Sequence, residues 1–383
     1  MIEEVHIQNF KSIYDLKIKT GRINLFIGEN GSGKSNLLEA LVFVSASDSN
    51  KLDNEFLVSR GIRVTHPTLM CSAFSEEDKN RDIKIGIVLN NERRAFLFNH
   101  TKFLLNNTNH SQWKSKNFKS DEYINDLLNN LSDYLSEDSK QKSEEINDKI
   151  QDLMLKLDKK PSYKVENFIT YSPENTALRN FYKEGQIEPL GINGEGLLRL
   201  LKAINNYEDN SYINTIIESL QLFSWFEDIK IPTDISSGED KVVIKDKYLY
   251  KEIDQRSANE GFLFILFYIT LIVAKETPKA FAIDNIDASL NPKLCTKLML
   301  IIAKLAKKYD KQIFLTTHNP AILDGIDLND EEQKLFVVSR NKLGHTRMKQ
   351  ITADNKPKSS DDEPLLLSEA FLRGYLGGLP KGF

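Results

Sequence analysis

Apolar positions follow two periods along this chain, and the change from one to the other outlines its elements. Residues 3–10 alternate as in a strand. Leu16 and Ile18, before a turn at Gly21, predict a second strand, and the short apolar run 22–27 a third. A glycine-rich stretch, Gly28 to Gly33, follows. Leu37, Leu38, Leu41 and Val42 then recur at helical spacing. Residues 67–105 read as antiparallel strands, with Ile83, Ile85, Ile87 and Leu89 alternating against Asp82, Lys84, Gly86 and Val88. Further on, 168–171 predicts a strand ending in Ser-Pro-Glu-Asn, 194–226 helix, 242–250 strand, and 261–274 a buried helix. The apolar runs 280–283, 312–316 and 334–338 predict strands, with a helix over 294–307 between the first two. Strands alternating with helices point to a parallel sheet.

Between 114 and 164 the pattern changes. Ile146, Ile150, Leu153 and Leu157 form one seam, and Leu127, Leu131 and Leu135 another, as in paired helices. Two arms joined near 136–143 predict a short helical hairpin, each arm about 22 Å long. Its 10 Lys against 11 Asp plus Glu make a solvated hairpin a better reading than a DNA-binding arm.

Composition narrows the class. With 383 residues, 40% hydrophobic and 28% charged, the chain can bury a core. A net charge of −4 excludes a globally basic nucleic-acid coat but leaves a local groove open. Cys71 and Cys295 lie far apart, match no metal spacing, and read as reduced thiols. The longest nearly apolar run, 262–274, has 13 residues, against about 20 for a membrane span. A cytoplasmic protein without a membrane segment is expected.

The chemistry begins at Gly28-Glu29-Asn30-Gly31-Ser32-Gly33-Lys34-Ser35, a complete G-x-x-x-x-G-K-[ST] loop between a predicted strand and a predicted helix. In that context backbone N–H groups converge on phosphate oxygens at a helix N-terminus. Asn30, Gly31, Ser32, Gly33, Lys34, Ser35 and Asn36 are the expected nucleotide-binding residues. Lys34 should reach the β- and γ-phosphates and the Ser35 hydroxyl Mg²⁺. A second Mg²⁺ group is needed, and Phe281-Ala282-Ile283-Asp284 supplies an apolar strand ending in a carboxylate.

These residues carry a resemblance. Ile7-Gln8-Asn9-Phe10-Lys11-Ser12-Ile13 and the stretch from Ile27 through Gly33-Lys34-Ser35-Asn36 to Leu41 resemble the start of ABC-type P-loop ATPases related to RecF, the SMC proteins and the OLD family. Ile283-Asp284-Asn285-Ile286-Asp287-Ala288-Ser289-Leu290-Asn291-Pro292 resembles the Walker B and D-loop, and Thr316-Thr317-His318-Asn319-Pro320 the switch-histidine loop. The resemblance implies an α/β ATPase head with a mostly parallel sheet, an antiparallel β subdomain, a helical lobe and a helical-hairpin insertion. It divides the chain into 1–110, 111–165 (the hairpin), 166–350 and an apolar tail, 351–383. It implies that His318 senses the γ-phosphate. It also implies that a signature motif, at Ser257, Asn259 and Gly261, contacts the γ-phosphate held by a second subunit. The match there is loose, and an ordinary helix cap at Ser257 or Asn259 is the competing reading. Ser172-Pro173-Glu174-Asn175 is the candidate Q-loop.

Three departures matter. Too little chain follows His318 for the Toprim nuclease of the OLD family, so no nuclease activity is expected. The tail from Leu365 to Pro380 is strongly apolar: it either packs on its own domain or forms a surface for another chain. The resemblance here is to stand-alone ATPases of prokaryotic anti-phage defence modules, which work with a separate effector protein. Finally, Asn285 stands where the family commonly carries the glutamate that polarises water. An amide cannot take a proton at neutral pH, so slow ATP hydrolysis is expected unless Asp287 or His318 substitutes. The implied function is an ATP- and Mg²⁺-dependent homo-oligomer acting as a sensor or scaffold; the alternative is a DNA-repair or DNA-end-binding ATPase. A GTPase is disfavoured, since Asn341-Lys342-Leu343-Gly344 lacks the guanine-reading aspartate.

Overall fold

A computed structural model describes residues 1–64, 67–75, 81–105, 108–118, 165, 167–180, 185, 187–232, 241–357 and 365–378. Three sheets organise the described residues. The first, antiparallel, has the order β2-β1-β4-β5-β6, with β1 Ile2–Phe10, β2 Ile13–Lys19, β4 Ile83–Leu89, β5 Glu92–Leu105 and β6 Thr108–Phe118. The second has the order β14-β13-β3-β12-β11-β7, with β3 Ile23–Gly28, β7 Thr170–Tyr171, β11 Ala280–Ile283, β12 Gln312–Thr317, β13 Gln333–Arg340 and β14 Thr346–Ile351. All its pairings are parallel except β13 with β14. A small third sheet joins β8 Phe226–Lys230, β9 Val243–Asp246 and β10 Ile253–Asp254.

The inner parallel strands β3, β12 and β11 are buried on both faces, which is why they read as unbroken apolar runs. In β3 every residue is buried. Ile23, Leu25 and Ile27 join the core of the helical lobe, built on the helices Glu260–Val273 and Pro292–Lys308. Phe26, stacked on Phe336 at 5.1 Å, faces the other core, shared with the helix Lys34–Asp48 and the antiparallel sheet. That helix is wedged between two sheets, so it is buried nearly all round. Its end is fixed by the buried Asp48, which accepts hydrogen bonds from Arg94 and from the Val165 backbone N–H. The helix Glu260–Val273 is apolar on all sides and buried from Gly261 to Val273. No helix among the described residues is long and apolar enough to cross a membrane.

Three expectations change in detail. The span 194–226 holds two helices, Leu197–Asn205 and Ser211–Leu220, rather than one continuous stretch. Of 242–250, only Val243–Asp246 is strand, because Lys247 and Tyr248 turn back toward β10. The hairpin expected over 111–165 begins on residues that still belong to β6, paired along β5, and 119–164 lie outside the described residues. The tail docks: Leu365, Leu367, Ala370, Phe371 and Leu376 are buried in the helical-lobe core. Ser368 Oγ donates to Asp324 at 2.5 Å, and Gly378 C=O accepts from the Glu29 N–H at 3.1 Å.

Candidate functional site

The phosphate loop leaves β3 at the carboxyl edge of the central sheet, where open α/β sheets carry their ligand sites. Two of its glycines, Gly28 and Gly33, are required by close approach. Gly28 lies so near Val338 that an added Cβ would come 2.0 Å from the Val338 carbonyl oxygen. Gly33 has φ +107°, and a Cβ there would meet Thr346 Oγ1 at 2.2 Å. Residues from distant chain segments press on the loop. Ser12, between β1 and β2, shares a 2.7 Å hydrogen bond with Thr346 and accepts one from Asn36 Nδ2 at 2.7 Å. Thr346 Oγ1 also donates to the Ser32 carbonyl at 2.8 Å. Neither Ser12 nor Thr346 was marked as a site residue by sequence reasoning. Ser12 lay inside the quoted resemblance, but nothing local to Thr346 reveals a role.

Lys34 is buried, and its Nζ donates to the carbonyls of Gly28 and Glu29 at 2.9 and 3.0 Å. Burial lowers its pKa to about 8 despite the opposing fields of Asp284, Asp287 and Glu29. The ammonium curls over its own loop onto carbonyl oxygens, and a polyphosphate would offer it charged oxygens instead. Ser35 Oγ donates to the Asp284 carboxylate at 3.0 and 3.3 Å. Thr316 Oγ1 donates to the same carboxylate, and the Asp284 N–H donates to the Tyr171 carbonyl at 2.8 Å. A hydroxyl and a carboxylate at this spacing form an oxygen donor pair suited to Mg²⁺, which takes few protein ligands and completes its shell with phosphate and water.

His318 Nδ1 sits 3.5 Å from Lys34 Nζ, so the end of β12 meets the end of β3. Partial desolvation, then the Lys34 charge, lowers the imidazole pKa from its ordinary value, although the residue as a whole is exposed. Asp287 Oδ1 accepts from Thr317 Oγ1 at 2.6 Å and from the His318 N–H at 3.3 Å. Asp287 therefore holds the segment at the end of β12 through its carboxylate. Asn285 is exposed, with φ +56°, and its N–H donates to Thr316 Oγ1 at 2.9 Å. Asparagine tolerates this left-handed conformation better than glutamate.

The structure thus brings Lys34, Ser35, Asp284, Asn285, Asp287 and His318 to one end of the central sheet. Ser257, Asn259 and Gly261 stand on the helical lobe, with other contacts. The Ser257 N–H donates to Asp254, and Asn259 caps the helix Glu260–Val273 by accepting from the Phe262 N–H at 3.3 Å. Gly261 is packed under the turn 286–289, where a Cβ would lie 3.0 Å from the Ser289 carbonyl oxygen. Asn30 and Gly31 are exposed at the tip of the phosphate loop. Beyond Asn36 opens a cleft of about 470 Å³ lined by Lys11, Ser12, Arg63, Phe74 and Arg340 among others. Two of its cations, Lys11 and Arg63, are held by the buried Glu39.

The chain is similar to known proteins. The family described as "AAA domain, putative AbiEii toxin, Type IV TA system" matches residues 23–324. The DNA replication and repair protein RecF of Porphyromonas gingivalis, in strains ATCC 33277 and W83, is 50% identical over 46 residues. That match covers 12% of this chain and only 13% of those curated relatives. Among solved structures, an Smc head bound to the C-winged helix domain of ScpA aligns with a TM-score of 0.55 at 15% identity. It covers 92% of this chain and 98% of that one. An Smc head with an extended coiled coil, bound to the C-terminal domain of ScpA derived from Pyrococcus furiosus, gives 0.50 at 13% identity over 92% and 96%.

Proposed function

We infer the function from the premise that the chain belongs to this AAA-domain family and is an ABC-type P-loop ATPase related to RecF and SMC. It binds ATP with Mg²⁺ at the loop of Asn30 to Asn36, with Asp284 beside Ser35. The observation that carries this is the joining of Lys34, Ser35, Asp284 and His318 at one sheet end, with Lys34 buried and bonded to the carbonyls of its own loop. The triphosphate would draw Lys34 off its own carbonyls, and Ser35 and Asp284 would hold the cation. The rest of the nucleotide would follow the cationic cleft past Asn36. Mg²⁺ would neutralise charge developing on the transferred phosphoryl group.

Hydrolysis is completed between two heads. Ser257, Asn259 and Gly261 stand at an exposed turn and the start of a 14-residue helix, a surface suited to a second subunit's γ-phosphate. ATP then acts as an adhesive between subunits. Asn285 keeps turnover slow, and the long-lived ATP state holds a separate effector in prokaryotic anti-phage defence. The family description, which names a toxin–antitoxin system, supports a two-component arrangement. The RecF match favours the second reading, a DNA-repair or DNA-end-binding ATPase.

Sedimentation with and without a non-hydrolysable ATP analogue tests the nucleotide-gated assembly. A particle of unchanged size, together with full turnover by isolated subunits, would refute it. Salt-dependent binding of DNA ends only in the ATP state would favour the second reading over the first.

A further inference from the structure

Arg179 follows the short helix Asn175–Leu178, just after the segment that leaves β7. Its guanidinium reaches across to the loop preceding Asn259. Nη1 donates to the carbonyls of Gln255 at 2.9 Å and Arg256 at 2.5 Å, and Nη2 to that of Ala258 at 2.9 Å. Nε donates to Asn175 Oδ1 at 2.8 Å, which fixes the fork's orientation. Three carbonyls of one loop are thus gathered by one planar cation, a geometry that lysine cannot reproduce. The base of this strut is equally well defined. Tyr171, at the end of β7, accepts the Asp284 N–H, and Ser172 and Glu174 donate to the carbonyls of Ile192 and Asn193. A continuous bonded path therefore runs from the Asp284 backbone, through 171–179, to the loop carrying Ser257.

We propose that Arg179 is a positioning residue that holds the Ser257 loop in the geometry needed by the nucleotide of a second subunit. The proposal rests on the reading that this loop acts across a head dimer. Arg179 touches no residue of its own phosphate loop in its four hydrogen bonds. Its loss should therefore spare binding and damage catalysis. Displacing a positioning group by about 1 Å can cost about 100-fold in rate.

The test uses the full chain. Arg179→Ala should bind a fluorescent ATP analogue within about twofold of the parent, yet turn over about 10–100-fold more slowly. Arg179→Lys, which keeps charge and bulk without the fork, should fold and still be slowed. Mixing decides the role. Lys34→Ala subunits have a defective phosphate loop and an intact Ser257 loop, so mixing them with Arg179→Ala subunits should restore turnover at one composite site. A parallel mixture of Lys34→Ala with Ser257→Arg tests the dimer reading itself. Recovery in both mixtures supports the proposal. Recovery only with Ser257→Arg overturns the role of Arg179. Failure of both overturns the reading across subunits and the proposal with it. Full turnover by Arg179→Lys or Arg179→Ala alone would also overturn it.

Discussion

The phosphate loop and the Ser257 loop differ in how they are held. The first is closed in: Gly28 and Gly33 lie under Val338 and Thr346, Lys34 is buried, and Ser12 and Thr346 brace the backbone through side-chain hydrogen bonds. The second is open: Ser257 and Asn259 are exposed, and the loop is tied by Arg179 and by its own cap. A closed loop carries its binding geometry within one subunit. An open helix N-terminus offers unpaired N–H groups to a partner. Under the proposed function, the contrast would separate a site that binds within one subunit from one that acts on a second.

The largest expected effect tests the closed side. Lys34→Ala should lose about 2–3 kcal/mol of phosphate binding, about 30–150-fold in Kd. Ser257→Arg should leave that affinity nearly unchanged in the same calorimetric titration. Equal affinities for parent and folded Lys34→Ala would dismiss the nucleotide assignment.

Next, Gly33→Ala should destabilise the fold by about 2–3 kcal/mol, through a strained φ and a clash with Thr346. Gly261→Ala, with ordinary φ and a 3.0 Å contact, should cost about 1 kcal/mol or less. Urea titration of both measures the gap, and equal losses would erase the distinction between the loops.

Asn285→Glu should raise steady-state turnover about tenfold without tightening ATP binding. A general base is worth about 10²–10⁴-fold, reduced here by strain of about 1–2 kcal/mol at a left-handed position. Asp287→Ala should cost less turnover than Asp284→Ala. If Asn285→Glu changes nothing while Asp287→Ala abolishes hydrolysis, Asp287 is the base rather than the anchor of the switch loop.

The smallest effect is a proton. In the free protein Lys34 titrates at about 8, below its ordinary value, because burial disfavours its charge. Phosphate nearby raises the bound pKa. ATP binding near pH 8.5 should therefore take up about one proton or less, and uptake should fade below pH 7, where Lys34 is already charged. Calorimetry in buffers of different ionisation enthalpy reads this directly, and Lys34→Met should remove the lysine's share of the uptake. The same sign governs stability: the unfolded chain holds the Lys34 proton more tightly, so this group's cost to the fold lessens as pH rises from about 8 toward 10.5.

Much of the site was legible in sequence because its parts are local. Gly28 to Ser35 is one contiguous stretch. The strands ending at Asp284 and His318 announce themselves as short apolar runs, since a sheet buried on both faces leaves no polar alternation. Asn259 was weighed as a cap, and it caps. The neighbours of these residues were not legible. Ser12 and Thr346 bond across 334 positions, and Arg179 reaches its carbonyl acceptors across 76 to 79. Hydroxyl and guanidinium groups have no periodic signature, and their partners here are chosen by the packing of sheets.

By itself the sequence determined the phosphate-loop motif and the parallel strands around it, and it pointed to Asp284 as a candidate oxygen ligand, because each follows from residue type at fixed short spacing. Only the tertiary structure decided three further matters. Asp287 accepts from Thr317 Oγ1 and the His318 N–H, Asn285 occupies a left-handed position where its amide is conformationally favoured, and the apolar tail packs into the helical-lobe core and reaches the phosphate loop at Glu29. The physical reason is shared. A hydrogen bond or an apolar contact is set by distance in space, and which distant segments meet is fixed by how the two cores close on the central sheet.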